Sequence, residues 1–501
     1  MAVAWQHVIA KSAGHEFDIT QLVKLEPARN SVVYGHGLSL AGLDQQTRAS
    51  RHVGDNPRTF KRPGRCRAYV RQLPAARCAV APPVATYVGD VINNRTELTM
   101  SLSFSLLRAV LLTASLALTT TCPAEEAPLR IGVLNDQSSS TADVTGSGSV
   151  VAARLAIEDF GDRVAGRRIE LMWADHQNRS DIAAGIARRW IDVDQVSAIV
   201  DGGTSAAALA IQDIVREKQK VAMFSGPATS DLTGKACSPF GFHWTYDTYA
   251  LASTVPRAMA KSGADTWFFI TSNYAFGHAL ERDATAAIKR AGGKVLGGVR
   301  HPLGTADFSS FLLQAQASKA QIIGLANSGD DSLNTIKQAG EFGIVEGGQR
   351  IAGLLLLINT VHGLGLKAAQ GIIIAEAFYW DMDDATRRFS ARFEALAKKK
   401  PNMIQAGVYS AVLHYLKSVQ KAGSIDGPTV SDVMRSLPVD DFMSKNVTIR
   451  GDGRVMRDMH LFQVKTPAES KAPWDYYKYL STVRGEDAFR PVAESECALL
   501  K

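Results

Sequence analysis

The sequence predicts an α/β fold made of two doubly wound parallel-sheet lobes joined by a three-strand hinge. Short apolar runs rich in Val, Ile and Phe alternate with amphipathic helical patterns, first over 129–224 and again over 266–378. Such alternation is typical of a parallel sheet with helices on both faces. The combined length exceeds what one sheet core comfortably holds, so two lobes are expected.

The apolar runs predict the strands, which are 129–134, 169–174, 198–201, 221–225, 266–271, 295–300, 322–326, 351–356 and 372–378. The patterns between them predict the helices, which are 150–160, 182–191, 206–215, 275–291, 308–317 and 332–342. In the first helix Val151 and Leu155 fall on one side, four residues apart, as helical spacing requires. Right-handed crossovers between parallel strands then fix most of the topology.

The two stretches of alternating strands and helices end in aromatic, non-periodic segments at 242–247 and 377–381. These segments are predicted to cross between the lobes. Two long helices, 385–399 and 404–422, and a β-rich end follow. The predicted division is 128–246 plus 381–445 for lobe 1, 247–380 plus 446–466 for lobe 2, and 467–501 for a C-terminal tail.

A secretory signal peptide is predicted at 100–124, one hundred residues into the chain. It has one positive charge (Arg108), an apolar run at 109–118 and small residues up to Ala124, the order that a signal peptidase substrate needs. The apolar run is shorter than the ~20 residues of a membrane-spanning helix. The exported protein is therefore expected to begin near Glu125. Lipidation of Cys122 is the less favoured alternative.

Residues 1–99 are predicted to be a non-native, disordered leader. They hold 13 Lys and Arg against 7 Asp and Glu, and so carry +6 of the formal net charge of +7. They show neither helical nor strand periodicity. A basic arm that binds an anionic surface is the alternative. Because the chain from Glu125 onwards is neutral, no nucleic-acid partner is expected.

Cleavage near Glu125 leaves two cysteines, Cys237 and Cys497. An even pair in an oxidising compartment predicts one disulfide, which would tie the C-terminal tail to the body. Two unpaired thiols are the alternative.

Several short motifs occur in a characteristic order along 128–466. They are Ile131-Gly-Val-Leu134, Asp201-Gly-Gly-Thr-Ser205, Ser225-Gly-Pro-Ala-Thr-Ser-Asp-Leu-Thr233, Asn273-Tyr-Ala-Phe-Gly277, Thr305-Ala-Asp-Phe-Ser-Ser310 and Lys337-Gln-Ala-Gly-Glu-Phe-Gly343. Through them the chain resembles the periplasmic substrate-binding proteins of ABC transporters, more specifically the leucine/isoleucine/valine-binding (branched-chain amino acid) type. The resemblance implies a type I periplasmic binding protein fold, a Venus flytrap that closes on one small ligand and delivers it to an inner-membrane permease. A periplasmic monomer without a cofactor is expected.

Ligand-binding residues are predicted first in lobe 1. Thr204 and Ser205 follow a strand and open a helix at Ala206, where free N–H groups and a hydroxyl favour a carboxylate. Ala228 and Thr229 follow the next strand and should lie at the same sheet edge. The alternative role of Ser205 is that of a helix N-cap alone.

Lobe 2 and the hinge supply the other predicted contacts. Tyr274 and Phe276 follow the strand 266–271, and the resemblance implies that an aromatic residue here covers the ligand. Asn327 and Ser328 close the strand 322–326 and could reach the cleft. Trp380 lies at the hinge, where it either stacks on the ligand or packs the hinge.

One departure from the family bears on the ligand. Amino-acid-binding relatives carry an acidic residue of lobe 2 that pairs with the ligand ammonium group, but the corresponding segment here, 353–359, has no acid. A buried, unpaired ammonium ion is costly. The ligand is therefore expected to be either a branched-chain amino acid, with Asp330, Asp331 or Glu376 as its partner, or an amine-free aromatic or aliphatic acid.

Enzymatic motifs are missing from the sequence. It contains no H-E-x-x-H, G-x-S-x-G or complete P-loop, and its histidines lack metal-ligand spacing. No catalytic residue, metal or cofactor is therefore expected. The expected function is the solute-binding component of an ABC importer, and the alternative is a periplasmic sensor that docks on a membrane receptor.

Overall fold

A computed structural model describes residues 126–260 and 263–501. The predicted leader (1–99) and signal peptide (100–124) lie outside the described residues. Among the helices that are described, none combines the length and apolar character that a membrane crossing requires.

The first lobe is built on a six-stranded sheet of order β2-β3-β1-β4-β5-β6, parallel except for β2. Its strands are β1 (Leu129–Asn135), β2 (Arg163–Val164), β3 (Arg167–Asp175), β4 (Val196–Asp201), β5 (Val221–Phe224) and β6 (Gly241–His243). Its connecting helices are α1 (Gly146–Phe160), α2 (Ser180–Asp192) and α3 (Ser205–Lys218). After β1 the chain passes to β3, which pairs with one edge of β1, and then to β4, which pairs with the other edge. The carboxyl ends of β1 and β4 therefore form a topological switch point, where ligands bind in open α/β sheets.

The second lobe contains a parallel four-stranded sheet of order β10-β9-β7-β8. Its strands are β7 (Thr266–Ser272), β8 (Lys294–His301), β9 (Ile322–Ala326) and β10 (Arg350–Gly353). Its helices are α4 (Thr248–Ala260), α5 (Ala275–Arg290), α6 (Ser309–Ala317), α7 (Asp330–Glu341), α8 (Ile358–Leu364) and α9 (Leu366–Ala369). The switch point of this sheet lies between β7 and β9.

A third, antiparallel sheet and the remaining helices complete the fold. They are β11 (Ile373–Glu376), α10 (Asp384–Ala397), α11 (Met403–Ala422), α12 (Gly427–Ser436), β12 (Met459–Val464), β13 (Tyr477–Val483) and α13 (Gly485–Ala488). Strand β13, within the segment predicted as a tail, pairs with β12. Helix α11 packs against α1, so the chain returns to the first lobe before β12. The fold class predicted from the sequence is confirmed.

The structure differs from the sequence-based predictions at two places, and the first of them bears on the cleft. The predicted strand 351–356 ends at Gly353, and the leucines that follow leave the sheet. An isolated bridge between His243 and Arg454 places the segment around Arg454 beside the first sheet, whereas the sequence predicts 446–466 in lobe 2.

The predicted disulfide between Cys237 and Cys497 is confirmed, with Cα atoms 5.7 Å apart. Cys497 is fully buried. The segment before it is also held by hydrogen bonds. Ser253 Oγ donates to the Ala488 carbonyl (2.8 Å) and Arg450 donates to the Arg490 carbonyl (2.7 Å).

Candidate functional site

A cavity lies between the lobes, where the carboxyl ends of the two parallel sheets meet. It is lined by Thr141, Val144, Thr145, Gly203, Thr204, Ser205, Gly226, Pro227, Ala228, Tyr246, Tyr274, Phe276, Ser328, Leu355, Leu357 and Ile404. Both lobes therefore contribute to one site.

The polar end of the cavity is the N-terminus of α3. After β4 the chain turns through Gly202 and Gly203, both at positive φ. A side chain at Gly203 would place its Cβ 2.4 Å from His176 Nε2, so only glycine fits this turn. The turn aims the start of α3 at the cavity. The first backbone N–H groups of a helix have no partner within it and carry its positive dipole end.

Ser205 is the first residue of α3, and its side chain connects the loop after β4 to the loop after β5. Its Oγ accepts hydrogen bonds from the backbone N–H groups of Ala228 (3.3 Å) and Thr229 (3.1 Å). The N-cap position belongs to Thr204, whose side chain makes no capping bond. The Ser205 hydroxyl proton is thus left for a hydrogen-bond acceptor in the cavity.

Thr204 carries a polar atom without a partner. The residue is only 4% exposed, and its Oγ1 is buried with no hydrogen bond. Buried hydroxyls are nearly always hydrogen-bonded, because an unsatisfied one costs about 1–3 kcal/mol. A ligand oxygen at this place would remove that cost.

Aromatic and aliphatic side chains form the rest of the wall. The rings of Tyr274 and Phe276, at the start of α5, lie 5.8 Å apart. The hydroxyl of Tyr246 donates to the Gly226 carbonyl (2.7 Å), which fixes its ring beside the cavity. Leu355 and Leu357 come from the segment after β10. The site therefore joins a hydrogen-bond-donating end to a largely apolar body.

The lobes are closed over this cavity. Ser205 of the first lobe is 1% exposed, and Leu357 of the second is 2% exposed. Direct bonds cross the cleft: Asn402 Nδ2 donates to Asn359 Oδ1 (2.8 Å), and the Asp330 N–H donates to the Ser140 carbonyl (3.4 Å). A ligand bound here would be enclosed on both sides.

The carboxyl groups around the cleft are already bonded to the protein. Asp136 accepts hydrogen bonds from Ser139 and Thr141. Burial raises its pKa, but these bonds outweigh burial, and the pKa is lowered overall. Asp331 accepts from the Thr305 N–H (3.0 Å), and its burial raises the pKa to about 7.

Glu376, at the end of β11, is a second buried acid with a raised pKa. Burial raises the pKa to about 8. The Tyr477 hydroxyl donates to its Oε1 (2.7 Å). This carboxyl is therefore mostly protonated at neutral pH and is held by the antiparallel sheet.

Six of the nine residues predicted to bind ligand line the cavity, and three do not. The six are Thr204, Ser205, Ala228, Tyr274, Phe276 and Ser328. Of the others, Thr229 lies behind Ser205, to which its N–H donates. Asn327 is buried and bonds to His301 and Thr335. Contact with ligand stays a prediction for all nine.

Trp380, the third of these residues, lies outside the cavity lining and contacts Trp474 and Lys400. Its indole N–H donates to the Trp474 carbonyl (2.8 Å), and the Lys400 ammonium lies 4.3 Å from its ring centre.

The residues that sequence reasoning missed are brought to the cleft by the fold. Thr141 and Val144 lie in a loop after β1 that has no motif, and Ile404 starts α11, far away in sequence. Tyr246 belongs to the aromatic segment 242–247, whose aromatic residues were a local signal, and Leu355 and Leu357 belong to 353–359, which the family resemblance implied to be near the ligand. Tyr246 lines the cavity because of the way in which the two lobes close.

Comparisons with known proteins agree with the two-lobed fold. A profile of the family described as "Periplasmic binding protein" matches residues 128–471. A periplasmic binding protein from Burkholderia mallei is 48% identical, with a TM-score of 0.73, over 75% of this chain and 99% of that chain. A branched chain amino acid ABC transporter periplasmic ligand-binding protein from Burkholderia xenovorans LB400 is 40% identical, with a TM-score of 0.68, over 74% and 100%.

A curated relative gives a shorter match. It is a Leu/Ile/Val-binding protein homolog 6 from Brucella melitensis, 23% identical over 192 residues. The match covers 38% of this chain and about half of the relative (49%).

Proposed function

Since the chain belongs to the periplasmic binding protein family, we propose that it is the solute-binding component of an ABC importer. In this proposal it captures a small carboxylate between its two lobes and delivers it to the permease in the inner membrane. The observation that carries the proposal is the start of α3, which faces an enclosed, largely apolar cavity.

The chemistry of that end suits a carboxylate. A helix N-terminus offers backbone N–H donors and positive potential to an anion. The Ser205 hydroxyl and the unpartnered Thr204 hydroxyl add two further donors beside it. Hydrogen bonds to a charged acceptor are about twice as strong as neutral ones. A carboxylate would satisfy these donors together, and the apolar wall would hold the rest of the ligand.

Closure would couple binding to delivery. Ligand contacts from both lobes exist only in the closed form, so ligand shifts the population towards closure. In this proposal the permease recognises the closed conformation. We place this exchange in the periplasm, with the protein acting as a monomer and without turnover.

A thermal-shift screen of the purified protein tests the proposal. The panel contains amino acids, aromatic and aliphatic acids, and neutral sugars as controls. A bound carboxylate at 100 times its Kd should stabilise the protein by about 2.7 kcal/mol and raise the Tm accordingly. A sugar that raises the Tm while every carboxylate leaves it unchanged would refute carboxylate capture. Loss of uptake of the labelled ligand on gene deletion would support an importer over a sensor.

A further inference from the structure

We infer that the ligand is a small monocarboxylate with an apolar body and no ammonium group. This inference rests on the proposed function, since it concerns what else the carboxylate-binding cavity accepts. It excludes α-amino acids from the preferred ligands.

The first support is the charge of the lining. Among the described residues that line the cavity, none carries an ionised side chain. The cavity is closed by both lobes, so an ammonium group inside it would lose its water. Burying an ion without a charged partner is costly, by several kcal/mol even after the protein relaxes.

The second support is that the neighbouring acids are directed elsewhere. Asp136 and Asp331 lie close enough to influence Tyr274 electrostatically. Asp136 is bonded to its own turn, and Asp331 to Thr305. Glu376 is bonded to Tyr477, and Asp330 is exposed to solvent. None of these four carboxyl groups reaches the cavity lining.

The third support is that the lining offers an ammonium group only neutral acceptors, such as the Thr204 hydroxyl, and that two of its carbonyl groups are already hydrogen-bonded. The Thr141 carbonyl already accepts from the N–H groups of Val144 and Thr145, and the Gly226 carbonyl accepts from Tyr246. Aromatic faces could attract a cation, but such contacts contribute only about 0.5–2 kcal/mol. That is less than the loss of hydration of the ion. The remaining wall, with Phe276, Leu355 and Leu357, suits hydrocarbon.

Matched ligand pairs test the inference on the unmodified protein by isothermal titration calorimetry. Leucine is compared with 4-methylpentanoate and 4-methyl-2-oxopentanoate, and phenylalanine with 3-phenylpropanoate. At least one amine-free acid should bind ten or more times as tightly as its amino acid. An amino acid that binds as tightly as its amine-free partners, or more tightly, overturns the inference and leaves the proposed function intact. If no acid binds and a neutral sugar does, the proposed function fails as well.

A pair of variants gives a second readout. Leu357→Glu places a carboxylate at the lining, and Leu357→Gln is the matched neutral control. Relative to the control, the glutamate variant should shift the selectivity ratio towards the amino acid by tenfold or more. An unchanged ratio in a folded variant contradicts the claim that the missing charge sets the selectivity.

Discussion

Replacing Thr204 with valine is expected to weaken carboxylate binding by about 1.5–3 kcal/mol, a loss of roughly ten- to 150-fold in affinity. The ligand-free protein should be as stable as the wild type or slightly more stable. Both effects have one cause, because Oγ1 of Thr204 is buried without a partner in the closed cleft. Valine removes a donor that only the ligand uses. Titration calorimetry measures the affinity, and urea unfolding measures the stability.

Two further variants at this helix start act as controls. Thr204→Ser keeps the hydroxyl and should bind within a few-fold of the wild type. Ser205→Ala should weaken binding by about 1–3 kcal/mol and also lower stability, because the N–H groups of Ala228 and Thr229 lose their acceptor. Wild-type affinity in Thr204→Val would remove this hydroxyl from the binding site.

Removing the disulfide by Cys237→Ser together with Cys497→Ser should lower the free energy of unfolding by about 3–5 kcal/mol. The bond joins cysteines 260 residues apart, and a loop of this length gives a large loss of chain entropy in the unfolded state. Cys497 is also fully buried, so a serine hydroxyl there has to find a partner. Urea unfolding at neutral pH measures the change.

Ligand binding separates this effect from damage to the site. Neither cysteine lines the cavity, so the double variant should keep its affinity at temperatures where it is folded. A reductant added during unfolding should lower the midpoint of the wild type and leave that of the double variant unchanged. An unaltered wild-type midpoint under reducing conditions, with reduction verified by thiol titration, would show that the bond contributes little.

The strands and helices that the sequence predicted well are those whose apolar pattern follows their burial. Strand β1 and the long helices α10 and α11 are examples, and the family resemblance seen in short motifs is confirmed by the match over 128–471. Helix α4 was missed because it contains Pro256 and follows the aromatic, non-periodic segment 242–247 directly. The predicted strand 351–356 was too long, since the strand ends at Gly353 and Leu355 lines the cleft.

The candidate site was predictable only where it follows from strand order. Thr204, Ser205 and Ala228 come directly after neighbouring parallel strands, so their meeting at one sheet edge could be expected. Tyr246 and Ile404 reach the cavity because the fold brings together residues that are distant in sequence. No local pattern encodes such contacts.

In the proposed function, the enclosed cleft recognises a carboxylate through the start of α3. The most direct test is a calorimetric titration of the wild-type protein with the carboxylate that stabilises it best, and then with its primary amide, which has the same shape and no charge. We expect one carboxylate per protein molecule and at least tenfold weaker binding of the amide, because the donors and the helix dipole favour an anion. Equal affinity for the amide would contradict anion recognition at this site.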